Sequence, residues 1–263
     1  MKKTIKKLAP AMLVLVALAT LSFMAKDSVL LRLKPQQGKT YTATTKANMM
    51  TMMEVQGQTM NMSQTMETRQ SFTAKEVTDA QSTIEAQTDA IKLSISQMGM
   101  KLEYDSEHPE NTSPMLAGQT QGMAETLKKP VTITYDALGQ QIGDSLDAFA
   151  GQLRDVILQL PEKELSVGDK WNSEKKQSVS DMQITVNMEY TVTAISKKSV
   201  DLSFTGSIEA TDVTGSYNGT ASIDPKTGLL TNSTTKSNLS MTLNEQGLSI
   251  PMTIVGNTTV ELK

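Results

Sequence analysis

Apolar and polar residues alternate along most of the chain from Tyr41 onward, which is the pattern of half-buried β-strands. The clearest example is the pair of runs "YTATTKANMMTMMEV" and "QTMNMSQTMETRQSFTA", which flank Gln56 and Gly57. A two-residue turn containing Gly is typical of a tight β-hairpin. Folding the runs about this turn gathers their apolar residues on one face, with Met53 opposite Met60, Thr51 opposite Met62, Ala47 opposite Met66 and Tyr41 opposite Phe72.

The same register also sorts the second face of this hairpin. It places Thr44 opposite Arg69, Asn48 opposite Thr65, and Lys46 opposite Glu67 as a cross-strand ion pair. A register that separates both faces at once is strongly specified, because a slip by one residue would exchange the two faces. Met50 and Met52 are the two methionines that fall on the polar face, and they have no packing role there.

Two further hairpins follow from the same alternation. One turns at residues 195–199 and pairs Tyr190 with Phe204 and Val192 with Leu202. The other turns at a four-residue loop, "NEQG", and pairs Leu243 with Leu248, Met241 with Ile250, Leu239 with Met252 and Leu229 with Leu262. Three long hairpins predict a mainly β protein whose antiparallel hairpins form curved sheets or a half-barrel.

Two stretches depart from the alternation and predict helices. Residues 144–160 carry one apolar stripe, can be capped by Asp144 and are followed by Pro161. This stripe contains Leu146, Phe149, Leu153, Val156, Ile157 and Leu160. A second, shorter helix is predicted over residues 115–128, although its Gly residues weaken it.

Short matches in a conserved order suggest that the chain is an internal duplication. "QGKTY" corresponds to "VGDKW", "SFTAKEVTDAQSTIEA" to "EYTVTAISKKSVDLSF", and "VTITYDALGQQI" to "GTASIDPKTGLL". We therefore divide the chain into a leader at residues 1–25, a first β half at 26–143, a helix and linker at 144–164, and a second β half at 165–263.

The first 25 residues resemble a secretory signal peptide. "MKKTIKK" is positively charged, the following run is apolar, and small residues from Ala19 to Ala25 offer cleavage sites. The alternative is an uncleaved membrane anchor, because the run approaches the length that spans a bilayer. Either route exports the body to the periplasm or the cell surface. The chain has no Cys, so a lipoprotein anchor, disulfides and Cys-bound metals are not expected.

The composition of the chain argues against enzymatic activity and against nucleic-acid binding. The formal net charge is −3 and the basic residues are not clustered in the body, so no nucleic-acid footprint is expected. His108 is the single histidine and lies in an acidic, Pro-containing stretch, where a base held against a nucleophile is not expected. We expect no enzymatic activity and no cofactor. A carboxylate pair for sugar cleavage would usually need aromatic platforms, and aromatics are only 4% of the chain.

The sequence offers two candidate metal sites. The stretch with Glu103, Asp105, Glu107 and Glu110 offers oxygen ligands suited to calcium, but its spacing matches no known loop. Thioethers suit Cu(I), and a copper site would use Met50 and Met52. Period-two strands produce Met-x-Met automatically when Met fills an apolar face, so neither metal is the favoured interpretation.

Several motifs resemble a family of uncharacterised exported proteins, mostly from Bacteroidota, that carry a domain of unknown function. The motifs are "LRLKPQQGKTY", "QTMNMSQTME", "MGMKLEYDSEHPE", "LPEKELSVGDKW" and "IDPKTGLL". The resemblance implies the compartment and fold but carries no catalytic or binding residue. More loosely, the hairpins with a helix are similar to the half-barrels of periplasmic lipoprotein carriers, a likeness of fold alone.

The chain's 18 methionines lead to the functional expectation. Met is flexible and polarisable, so a concave Met-lined sheet can accommodate varied apolar ligands. We expect a lipid or acyl chain to be bound by Met49, Met53, Met60, Met62, Met66, Leu146, Phe149 and Leu153. The alternative is a structural or protein-interaction module of the cell envelope with a fully packed core.

Overall fold

The computed structural model describes residues 28–55, 57–118, 120, 124, 127, 129–143, 156–179, 182–245 and 248–263. These residues form β1 (Ser28–Val29), β2 (Thr40–Val55), β3 (Gln58–Val77), β4 (Gln81–Gln97), β5 (Met100–Asp105), β6 (Val131–Asp136), β7 (Gln141–Ile142), β8 (Leu165–Ser166), β9 (Lys170–Val179), β10 (Met182–Ile195), β11 (Val200–Ala210), β12 (Val213–Ile223), β13 (Leu230–Glu245) and β14 (Leu248–Leu262). The two short 3-10 turns are Pro109–Asn111 and Pro114–Leu116.

Twelve of the strands form one antiparallel sheet, which confirms the mainly β, curved-sheet prediction. The order across the sheet is β7-β6-β4-β3-β2-β14-β13-β12-β11-β10-β9, and β5 pairs with the part of β4 that β6 leaves unpaired. The sheet is not closed. The pairing of β14 with β2 joins the last long strand to the first, so both halves of the chain share one hydrogen-bonded sheet.

Two of the three predicted hairpin registers are confirmed. In the β2–β3 hairpin Met53 pairs with Met60 and Tyr41 with Phe72, and Lys46 lies 3.4 Å from Glu67. In the β10–β11 hairpin Tyr190 pairs with Phe204 and Val192 with Leu202. These registers follow from local turns whose chemistry is visible in the sequence.

The predicted register of the β13–β14 hairpin is wrong by two residues. Leu243 pairs with Ile250, Met241 with Met252 and Leu239 with Ile254, and Glu245 pairs with Leu248. Pairing on β13 therefore continues two residues into the expected four-residue loop, as far as Glu245. A shift of two residues keeps every side chain on its face because the strand period is two, so the face assignment survives the error.

One end of the sheet is filled by two segments, residues 28–34 and 156–166, which pair with each other through the short strands β1 and β8 and which we call the plug. Leu31, Leu33 and Leu165 are fully buried there. Side chains from β6, such as Ile133, and from β9, such as Trp171, belong to the same apolar cluster as the plug. Strands from opposite margins of the open sheet thus meet around one core, so the sheet curls around the plug and encloses an inner face.

Backbone hydrogen bonds hold the plug against the sheet. Leu33 N donates to Ala137 O at 2.8 Å and Lys34 N to Thr227 O at 2.8 Å. Leu160 N donates to Leu138 O at 2.8 Å, and Leu230 N donates to Val156 O at 3.2 Å. These bonds pair buried backbone groups of both segments with the sheet and its turns, as burial favours.

Most of the predicted helix at 144–160 lies outside the described residues. Its described end, residues 156–160, is part of the plug and is not helical, so the prediction is wrong there. Val156, Ile157 and Leu160 are buried as the apolar stripe suggested, but their backbone groups bond to the sheet instead of to a helical turn. Of the predicted helix at 115–128, Ala117, Gly118, Thr120 and Ala124 are helical, and much of the remainder lies outside the described residues.

The two proposed halves make the same backbone contacts at the positions that the sequence alignment pairs. Gly38 N donates to Ala74 O at 2.7 Å, and Gly168 N donates to Val192 O at 2.8 Å. Each half also has a second bond in the opposite direction: Ala74 N donates to Lys39 O at 3.2 Å, and Val192 N donates to Asp169 O at 2.9 Å. The domain boundaries drawn from the sequence stay a prediction.

Gly228, in the turn between β12 and β13, lies directly against the backbone of the plug at Arg32 and Leu33. Replacing Gly228 tests that contact. Its φ is +69°, and an added Cβ would meet Arg32 O at 2.2 Å. We expect Gly228→Ala to lower the free energy of unfolding in urea by roughly 3 kcal/mol, from backbone strain plus the clash.

Gly38→Ala is the matched control, because Gly38 has a φ of +78° and open space around the added Cβ. We expect this variant to lose only about 1 kcal/mol, from backbone strain alone. Equal losses in the two variants would contradict the importance of the plug crossing.

Candidate functional site

The inner face of the curled sheet carries a row of methionines near the end opposite the plug. Register places Met60, Met53, Met252 and Met241 side by side on β3, β2, β14 and β13. We call these four residues the methionine row. Five hairpins, β2–β3, β4–β5, β9–β10, β11–β12 and β13–β14, turn at this end, which we call the tip end.

The methionines of the inner face are less buried than the residues of the core. In the described chain, the fully buried core contains Leu, Ile, Val, Ala and aromatic side chains but no methionine. All four members of the methionine row are half-buried instead. If Met were only a packing residue, it would be expected in the core as well, since its unbranched side chain fills irregular gaps. The flexible thioethers therefore form a partly solvated apolar surface beyond a rigid core.

A cavity of about 340 Å³ lies on the inner face between the plug and the tip end. This volume falls within the range of small-molecule sites. Most of its lining is apolar or carries a hydroxyl group. The lining consists of Leu158, Ser173, Lys175, Val186, Met188, Tyr190, Phe204, Tyr217, Ala221, Leu230, Ser233, Thr235, Thr258 and Val260.

Aromatic rings form the deep side of this cavity. Trp171 stacks on Tyr190 with ring centroids 5.0 Å apart, and Tyr190 lies 5.9 Å from Phe204. Trp171 Nε1 donates to Gln159 O at 3.0 Å, which fixes the indole against the plug. Burial raises the pKa of Tyr190 to about 12, because the charged phenolate is poorly solvated there. The phenol is thus neutral at physiological pH.

At three glycines on the inner face of β11 and β12, the missing side chain lets a neighbouring side chain lie directly against the backbone of the sheet. A Cβ at Gly206 would meet Met188 Sδ at 2.2 Å, and one at Gly215 would meet Leu239 Cδ2 at 2.4 Å. A Cβ at Gly219 would meet Phe204 Cζ at 2.6 Å and Thr234 O at 2.0 Å. A missing side chain in a strand often marks such close approach. Here the missing side chains widen the inner hollow, because larger residues at these three positions would fill that space.

The structure places the described members of the predicted site on one face. Met49, Met53, Met60, Met62 and Met66 all point to the inner face and are half-buried. Met66 packs beside a separate small cluster formed by Ile91, Leu93, Tyr104 and Leu116. The other three predicted members, Leu146, Phe149 and Leu153, lie outside the described residues.

Met50 and Met52 lie on the outer face, as the register predicts. They are 52% and 37% exposed, and Met50 pairs with Val255, which is itself 45% exposed. The copper interpretation of these two thioethers stays a prediction.

The other candidate chemistry lies on the surface. His108 belongs to an exposed loop, where Nδ1 lies 3.3 Å from Glu110 Oε1. Among the described residues, no group of three or more His, Asp or Glu is arranged to hold a metal ion. Nor does any helix within the described ranges have the length and apolar character needed to cross a bilayer. The expectation of no enzymatic activity stays a prediction.

A second hollow of about 420 Å³ lies between rows of outer-face side chains on β2 to β5. Four charged residues of its lining already pair with each other. Lys46 Nζ lies 3.4 Å from Glu67 Oε2, and Lys92 Nζ lies 3.0 Å from Asp105 Oδ2. The inner cavity is the better candidate site for an apolar ligand, because its lining holds more apolar and aromatic side chains and a single charged one.

Sequence reasoning missed the β9–β12 side of the site, including Met188, Tyr217 and Lys175. A signal for Lys175 was present, because "WNSEK" places it on the same strand face as Trp171. The spaced glycines in "FTG" and "TGSYNG" were a further signal of close packing on one face. That these strands surround one cavity depends on the curl of the sheet, which no local pattern encodes.

Comparison with known proteins gives one family match. A model of a family of unknown function, DUF6263, matches residues 135–230, less than half of the chain. This span contains "LPEKELSVGDKW" and "IDPKTGLL", and it agrees with the expected domain of unknown function. The bacterial group and the motifs outside the span stay predictions. No curated protein matches the chain.

Two solved structures show distant similarity. A lipovitellin studied for lipid–protein interactions is 12% identical with a TM-score of 0.41, over 87% of this chain and 25% of that chain. The chain therefore spans about a quarter of the lipovitellin's length. An outer membrane channel from Pseudomonas putida F1 is 6% identical with a TM-score of 0.29, over 88% of this chain and 98% of the channel. Both scores are too low to support an inference about function.

The raised pKa of Tyr190 predicts a pH dependence of stability. A group whose pKa rises from 10.0 to about 12 on folding stabilises the fold below pH 10 and loses this contribution as the pH approaches 12. We expect Tyr190 to account for a fall of up to about 2 kcal/mol in the free energy of unfolding over this interval. Urea denaturation of wild type and Tyr190→Phe from pH 8 to 12 measures it, and parallel curves would refute the assignment.

Proposed function

We propose that this protein binds an apolar ligand, a lipid or an acyl chain, on the inner face of its sheet. In this proposal the ligand occupies the cavity beside Met188, Tyr190 and Phe204 and extends toward the methionine row. The protein would act without catalysis, as an exported component of the cell envelope.

The observation that carries the proposal is the position of the methionines. They are absent from the fully buried core of the described chain and concentrated where the inner face is half-solvated. Leaving apolar surface in contact with water costs about 25 cal/mol per Å², so a large exposed patch usually marks an interaction site. A ligand that covers this surface would recover that free energy.

The chemistry of the lining supports a chain-like ligand. Met side chains repack easily, which suits acyl chains of different length and curvature. The aromatic rings beyond the cavity are held rigidly by stacking and by the Trp171 hydrogen bond. A rigid base with an adaptable opening would fix one end of a ligand and tolerate variation along the rest.

Ligand binding predicts a difference between inner and outer methionines. We expect Met53→Ser combined with Met60→Ser to weaken binding of a fluorescent fatty acid about tenfold, because two apolar contacts are lost. Met188→Ser should weaken it as well, since Met188 lines the cavity. Affinity is measured by fluorescence titration, and native mass spectrometry of protein purified from its host should show a co-purified hydrophobic species.

The matched control is Met50→Ser combined with Met52→Ser, which makes the same chemical change on the outer face of the same strand. We expect no change in affinity for this variant. Protein that is empty after purification and has no affinity for the fluorescent fatty acid would refute the proposal. The same result would favour a structural or protein-interaction module of the envelope.

Export is tested by the mass of the mature protein. We expect expression of the full chain in a bacterial host to yield soluble periplasmic protein that lacks a leader ending between Ala19 and Ala25. Intact-mass measurement after osmotic release identifies the cleavage site. Recovery of all 263 residues in the membrane fraction would instead establish the N-terminal anchor.

A further inference from the structure

Three hydroxyl side chains face the inner cavity from two neighbouring strands. Ser233 and Thr235 project from β13 to the inner face, and Thr258 on β14 lies directly opposite Thr235. All three residues line the cavity. None of their hydroxyl groups has a hydrogen bond to another residue in the described part of the chain. We call Ser233, Thr235 and Thr258 the hydroxyl patch.

Ser233 is the most buried member of the hydroxyl patch. It is only 9% exposed, and its cross-strand neighbours Ala221 and Val260 are buried as well. Buried polar groups are almost always hydrogen-bonded, because the loss of hydration is otherwise not offset. Ser173, a cavity residue on β9, follows this rule, since its Oγ donates to Gln159 Oε1 at 2.8 Å. The Ser233 hydroxyl therefore marks a position where a ligand can supply a hydrogen bond.

Hydroxyl side chains continue beyond the patch across the inner face. The row that contains Ser233 runs through Val260 to Thr45 on β2 and Thr68 on β3. Thr68 is 4% exposed, so this level of the inner face combines deep burial with polar groups. A polar part of a ligand would find more than one hydroxyl group at this level.

The chemistry of the hydroxyl patch favours an uncharged polar group. A hydroxyl group both donates and accepts hydrogen bonds, so adjacent hydroxyls suit a ligand whose groups do both, such as alcohols beside an ester carbonyl. An ionised carboxylate only accepts hydrogen bonds and is best stabilised by a cation. The one charged residue of the described lining, Lys175, is on β9 and already takes part in an interaction.

An apolar chain has a continuous path along β13 from the hydroxyl patch. Leu239 and Met241 follow Thr235 on the same inner face, toward the tip end. Met241 is six residues beyond Thr235, a distance of roughly 20 Å that an extended acyl chain can cover. The cavity volume of about 340 Å³ is at the low end for small-molecule sites, which favours one chain over two.

We propose that the hydroxyl patch binds the uncharged polyol head of a single-chain lipid of the monoacylglycerol type. This inference rests on the proposed function and specifies the ligand class of the same site. The hydroxyl and ester groups of the ligand bond to Ser233, Thr235 and Thr258. Its acyl chain lies along β13 toward the methionine row.

The test compares ligands that share an acyl chain and differ in the head group. Trp171 is the single tryptophan and stacks on Tyr190, which lines the cavity, so its emission reports occupancy. Titrations use monododecanoylglycerol, methyl dodecanoate and dodecanoate below their aggregation limits. We expect wild type to bind the glycerol ester about tenfold more tightly than the methyl ester, because the methyl ester lacks the two alcohol groups.

A pair of double variants locates the head group. Thr235→Val combined with Thr258→Val removes two hydroxyl groups and keeps the branched shape of both side chains. We expect this variant to lose about tenfold in affinity for the glycerol ester and to bind the methyl ester as wild type does. Thr234→Val combined with Thr259→Val is the matched control, because these residues form the adjacent cross-strand pair on the outer face. We expect the control to bind all three probes as wild type does.

Ser233→Ala separates a role in binding from a role in folding. Its hydroxyl has no hydrogen bond to the described chain, so we expect the midpoint of urea unfolding to stay unchanged or to rise. Affinity for the glycerol ester should fall about fivefold in the same variant, because one hydrogen bond to the ligand is lost.

Four outcomes would contradict this assignment. Wild type that binds the methyl ester as tightly as the glycerol ester would overturn the polyol head and leave the proposed function intact. Tightest binding of dodecanoate would overturn it in favour of an anionic head. Wild type that binds none of the three probes would overturn both the inference and the proposed function. A Ser233→Ala variant that unfolds at lower urea and keeps its affinity for the glycerol ester would assign this hydroxyl to the fold.

Discussion

The structure depends on burial of the plug by both margins of an open sheet. A sheet of twelve strands twists strongly, but twist alone does not enclose a core. Residues 28–34 and 156–166 supply the apolar side chains that β6 and β9 share, and their backbone hydrogen bonds reach the sheet near Ala137 and Thr227. Curl, inner face and cavity all follow from this one packing arrangement.

The plug also explains why the two ends of the inner face differ. At the plug end, branched aliphatic and aromatic side chains are packed to near-complete burial, as in Leu202 and Ile223. At the tip end the same strands continue beyond the plug, and the methionines on their inner face are half-buried. Met is suited to that environment because it tolerates several packings, whereas rings and branched chains specify one. The chain thus combines a rigid base with an adaptable surface on the same strands.

The cavity lies at the boundary between these two regions. Its lining rings Tyr190 and Phe204 belong to the core, where Tyr190 stacks on Trp171, and Met188 begins the adaptable part. Lys175 lines the cavity from β9, the last strand in the described order of the sheet.

The sequence by itself determined the strand faces and the two hairpins whose turns are local, because period-two alternation and turn chemistry act between neighbours. It also placed the row from Met53 to Met60 on the inner face. It did not determine the β13–β14 register, since a shift by two residues leaves both faces unchanged. The tertiary structure alone decided the pairing of β14 with β2 and the non-helical path of residues 156–160. These features rest on contacts between distant segments, whose free energy comes from jointly buried surface that no single stretch of the chain contains.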